Sequence, residues 1–173
     1  MSFRAFAVIA IALLFPALVH AALSEKDEKF VKNAAKGGMM EVDLGTLAMH
    51  KAANDDVKKF GKQMVDDHGK ANEELKKLAQ TKGVDLKDSE EASKKEGGEK
   101  IEKFGKMDVA TFDKSYIDDM VEDHEKDVKE FEEASKGADD ADPKAWAAKT
   151  LPTLKDHLKM AKETQEKLKK TPR

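Results

Sequence analysis

Cysteine is absent from the 173 residues. That excludes disulfides, thiolate metal ligands and thiol nucleophiles together. Aromatic residues make up only 6%, and glycine and proline are sparse outside a few places, a balance that disfavours sheet. No run of like charge forms a basic patch. The formal net charge is −3, with both signs interspersed, so nothing points to nucleic acid as a partner. After residue 21 no apolar run approaches the roughly 20 residues that a bilayer span requires. What is abundant is charge, 39% of the chain, mixed with alanine and leucine in the manner of amphipathic helices.

The one long apolar run lies at the start. Arg4 gives a short basic beginning, residues 5–19 are apolar, and Val19-His20-Ala21 offers small residues for cleavage. This pattern predicts a secretory signal peptide over residues 1–21, cut after Ala21. Removing Arg4, the only charge of that segment, takes the net charge from −3 to −4. The expectation is an exported, periplasmic protein whose residues 22–173 form one domain, with no transmembrane segment after cleavage and no disulfide to support its core.

Four long helices are predicted. Ser24 opens the first, with Asp27 three residues on as in a capping box, and apolar spacing continues to Ala53. Asn54 caps a second over residues 55–82, stopped at Gly83. A third covers residues 109–136 and ends at Gly137. A fourth runs from Pro143, placed where a first turn tolerates proline, to about Lys169, with Pro152 expected to kink it. Residues 84–107 are polar and interrupted by Gly97-Gly98, and read as a long connector carrying one short helix. Two tight turns and one long central crossover predict an all-α, ferritin-like four-helix bundle; a simple up-down bundle with a loose connector stays open.

A local repeat stands out. Met64-Val65-Asp66-Asp67-His68 returns as Met120-Val121-Glu122-Asp123-His124, with an echo in Leu154-Lys155-Asp156-His157. At 100° per residue, His68 falls within the apolar face of Val57, Phe60, Met64 and Leu75. His124 falls within that of Ile117, Met120 and Phe131, and His157 within that of Trp146, Leu154 and Ala161. An apolar arc covers about a third of a helix, so three inward histidines would arise by chance in roughly one case in thirty. Glu41 centres the small-residue face of the first helix. All four lie near mid-helix, so antiparallel packing should bring Glu41, His68, His124 and His157 into one layer. His50 projects away from its apolar face and reads as solvated.

Two readings of that layer compete. Three imidazoles and a carboxylate suit a divalent metal ion such as zinc, copper, iron or manganese, with Met64 and Met120 nearby to favour copper. Alternatively the layer is a hydrogen-bonded polar network with a structural or stress-protective role. Di-iron carboxylate chemistry needs Glu-x-x-His on two helices, and here Val65, Val121 and Leu154 stand where those glutamates would. No serine or phosphate-cradling glycine loop supports another enzyme class, so whether the protein is an enzyme stays open; a metal with a vacant position is the remaining catalytic option.

These stretches, together with residues 34–42, 44–48, 57–61, 112–116 and 150–153, resemble a family of exported bacterial proteins catalogued as domain of unknown function 4142. The resemblance implies a ferritin-like fold and a cell-envelope location, and it implies no particular activity, substrate or partner.

Overall fold

The computed structural model describes residues 22–170; the expected signal peptide lies outside the described residues. The described residues form five helices and no strand: α1 (Glu25–Lys51), α2 (Asp55–Lys82), α3 (Lys87–Gly105), α4 (Val109–Gly137) and α5 (Ala141–Lys170). That is one more than the four long helices expected. None is long and apolar enough to cross a membrane.

The ends follow local chemistry. The Ser24 hydroxyl accepts from the Asp27 amide, the Asn54 side chain from Asp56, and Asp108 from Thr111, each satisfying an amide that a helix start leaves unpaired. Gly83 stops α2 in the left-handed conformation at φ 70°, which glycine adopts without a Cβ penalty. Pro143 sits in the first turn of α5, and that helix continues through Pro152.

The Asp27 side chain does not close the expected capping box. It is buried, and its Oδ2 accepts from the backbone amides of Asp139 and Asp140, at 2.9 and 2.8 Å, in the α4–α5 turn. Asp113, near the start of α4, does the same for the α1–α2 turn, accepting from Ala53 and Asn54 at 3.1 and 2.8 Å. Each helical hairpin thus clamps the turn of the other.

Cross-helix pairs give the directions. α1 runs against α4, with Lys26 on Asp139 at one end and Asp113 on the α1–α2 turn at the other. α2 runs against α5, through Lys167–Asp56, Lys149–Glu74 and Lys82–Asp140. α4 runs against α5, through Lys162–Glu125 and Lys155–Glu132. α1 and α2 approach closely at paired glycines: a Cβ on Gly45 would meet the Gly61 carbonyl oxygen at 2.7 Å, and one on Gly61 would meet the Gly45 carbonyl at 2.7 Å.

The stretch expected to be a connector with one short helix is instead a helix of 19 residues. It lies along α1 in the same direction, with Glu96 on Lys36 and the Gly105 carbonyl accepting from Lys51. Its buried face is Ser89, Ser93, Gly97 and Phe104. Small residues let its backbone sit close on α1, where Met40 is 3.3 Å from the position of a Gly97 Cβ.

The apolar core is in two halves. One gathers Leu44, Val57, Phe60, Met64, Phe112, Tyr116, Ile117, Met120 and Ala161. The other gathers Phe30, Val31, Leu75, Phe131, Trp146 and Leu154. On each of α1, α2, α4 and α5 the chain passes from one half to the other across a single buried polar position or its neighbourhood: Glu41, His68, His124 and His157.

Candidate metal centre

His68, His124 and His157 come together from α2, α4 and α5. Their exposures are 7%, 0% and 2%, and their ring centroids form a near-equilateral triangle of 5.7, 5.2 and 5.4 Å. One ring nitrogen from each lies within 4.8 Å of those of the others, and among the described residues no other group of histidines and carboxylates meets that condition.

The other nitrogens of two rings are occupied. His124 Nδ1 lies 2.9 Å from the Met120 carbonyl, which can only accept, so Nδ1 carries the proton. His157 Nε2 lies 3.0 Å from Asp67 Oδ2 and donates to it by the same logic. In the neutral tautomers this leaves a lone pair on His124 Nε2 and on His157 Nδ1. Both of these nitrogens, and His68 Nε2, are buried without a hydrogen-bond partner. Buried polar atoms are seldom left so.

The rings are held neutral. Burial, then the two neighbouring imidazoles, lowers His68 to about 3. Burial, then His157, lowers His124 to about 4. Burial also lowers His157, against the pull of Asp67. Burial pushes the Asp67 carboxyl up, but hydrogen bonds from His157 and Gln63 outweigh it and keep it below its ordinary value. An ionised carboxylate therefore orients His157, as carboxylates commonly do for histidines that bind metal. Neutral imidazoles with free lone pairs, two of them in fixed tautomers, are what a metal ion requires.

Glu41 is equally buried, at 4% exposure, and its Oε2 has no partner. It is not part of the imidazole cluster. It lines a cleft between α1, α3 and α4 with Asp119, Asp123, Asp127 and Lys100. Burial, then Asp127 and Asp123, holds its carboxyl well above the usual range. His50 is exposed and apart from the site.

Sequence reasoning did not single out Asp67 or Asp127. Asp67 was visible as the acidic residue before His68 in the repeated motif, although on α5 the corresponding Asp156 is exposed. Asp127, three residues after His124, follows the polar side of α4 and carried no signal of its own.

No curated protein and no solved structure matches the chain. A family model does, over residues 16–164, a stretch that contains Glu41 and all three histidines together with every helix but the last residues of α5. The chain belongs to the family described as Domain of unknown function (DUF4142).

Proposed function

We propose that the protein is exported to the periplasm and there binds one divalent transition-metal ion through His68, His124 and His157. The observation that carries this reading is the convergence of three buried imidazoles from three helices, each with a buried ring nitrogen that has no hydrogen-bond partner. An all-imidazole set favours zinc, copper or iron over manganese, which prefers oxygen donors. Three protein ligands leave a fourth position for water or another donor. Export rests on the basic start, apolar run and small residues of positions 1–21. The helix directions support a four-helix bundle of ferritin-like connectivity, formed by α1, α2, α4 and α5 with α3 as its crossover.

The second reading, a metal-free polar layer with a structural role, draws on the hydrogen bonds to Met120 and Asp67. It leaves three nitrogens unpaired. Metal content by mass spectrometry separates the two, using protein purified untagged from a periplasm beside a His68→Ala/His124→Ala variant. Near-stoichiometric metal in the first and none in the second is the expected result. No metal in either, even after incubation with zinc, copper and iron, leaves the structural layer as the reading.

A further inference from the structure

We propose that the acidic cleft between α1, α3 and α4 is a loading site, in which Glu41 and Asp127 take up a hydrated divalent cation before it passes to the imidazole cluster. This rests on the metal-binding reading above and gives Glu41 a role outside the cluster.

The cleft encloses about 500 Å³. Within it Lys100 Nζ reaches from α3 to Asp119 and Asp123, at 2.7 and 2.6 Å, and so matches the charge of that pair in part. Glu41 and Asp127 are not matched in this way. Glu41 Oε2 is buried without a partner, and Asp127 makes no hydrogen bond or ion pair among the described residues. A divalent cation, displacing the protons that burial makes these groups retain, is the ligand that would match two such carboxyls.

A small cavity of about 30 Å³, lined by His68, Asn72 and Trp146 among others, adjoins the cleft. Cleft and cavity share four lining residues, Asn33, Gly37, Asp127 and Glu130. Asp127 therefore lines both the cleft and the cavity that His68 lines. The cavity exceeds the roughly 10–15 Å³ that one water needs, and Trp146 Nε1, buried without a partner, is a donor for such a water.

The chemistry sets the direction of travel. No three of the cleft carboxylates bring oxygens within 4.8 Å of one another, so they do not form a tight oxygen cage. Such spread oxygen donors hold a hydrated ion loosely, whereas imidazole binds zinc, copper and iron more firmly. Burial and neighbouring carboxylates push both carboxyls up, Asp127 to about 7, a strain that an arriving cation relieves.

Stopped-flow mixing with Co²⁺ tests this, with loading followed by the ligand-field absorption of protein-bound cobalt. Asp127→Asn and Glu41→Gln are expected to slow loading about tenfold or more while the final stoichiometry stays that of the wild type. Wild-type loading should also slow as ionic strength rises, a result that needs no variant. Should Glu41→Gln lose helicity by circular dichroism, Glu130→Gln on the half-buried wall replaces it and should slow loading in the same sense. Full loading at wild-type, salt-insensitive rates overturns the route and leaves the metal site standing. A fall in final stoichiometry with Asp127→Asn also overturns it, by making Asp127 a ligand. Failure of the wild type to take up cobalt removes site and route together.

Discussion

At the scale of single residues, the site is built from groups whose hold on a proton burial has shifted from that in water. The three histidines are kept neutral by burial, and His68 and His124 also by neighbouring imidazoles. The carboxyl of Asp127 is pushed up to about 7 by burial and by Asp123 and Glu130, against Lys126 and Lys100. An unfolded aspartate titrates near 3.9, so between these values the folded chain holds the proton more tightly. The stabilisation is complete below about pH 4 and is lost as pH rises through about 7. Asparagine at this position never ionises. Asp127→Asn should therefore melt with the wild type at low pH and progressively above it as pH rises, the gain levelling off beyond about pH 7. Thermal melts of the two proteins across that range check this. A constant offset between them would show that packing, not ionisation, sets the difference. Keeping a carboxylate that costs stability at neutral pH is the kind of trade that functional sites make.

At the scale of helices, spacing decided what the sequence could reveal. The histidine layer was legible because 3.6-residue periodicity places His68, His124 and His157 on apolar faces, and the faces of α2, α4 and α5 follow the expected pattern. The caps at Ser24, Asn54 and Gly83 were legible for the same local reason. The full length of α3 was not, because most of its inward face, Ser89, Ser93 and Gly97, is small and leaves no hydrophobic trace before Phe104. Its start at Leu86 also lacks a side-chain cap. The position of Glu41 was only half legible: periodicity turned it inward, but the cleft it lines with α4 is completed by a helix that was expected to be short. Glycine shows the same division between pattern and context. Gly45 faces the Gly61 carbonyl, so Gly45→Ala must push α1 from α2 and should cost about 1–3 kcal/mol. Gly69, in the interior of α2, has nothing within 4 Å of a built Cβ, so Gly69→Ala should stabilise by about 0.5–1 kcal/mol. Urea unfolding of both variants measures the contrast; two shifts of the same sign would refute the close-contact account of α1 and α2.

At the scale of the molecule, the polar layer divides the core, and a metal ion would join what it divides. Along α1, α2, α4 and α5 the apolar half around Phe60 and Tyr116 and the half around Phe30 and Trp146 lie on opposite sides of the level of the histidines. Many of the ion pairs that link the helices outside are largely exposed, and such pairs contribute about 0–1 kcal/mol each. Ligands from α2, α4 and α5 converge only in the folded chain, so bound metal adds to global stability by mass action. At free metal a hundredfold above its dissociation constant the gain is about 2.7 kcal/mol, less any binding by histidines of the unfolded chain. For a domain of this size each kcal/mol shifts the midpoint by roughly 2–4 °C. Titrating zinc into apo-protein should thus raise Tm by about 5–10 °C, rising with the logarithm of zinc once the site is full. The His68→Ala/His124→Ala variant should show no such rise, and both proteins should unfold in one transition. A wild-type Tm indifferent to zinc, copper and iron would mean that the layer separates two half-cores without an ion to bridge them. A rise shared by the double variant would place the metal elsewhere on the surface.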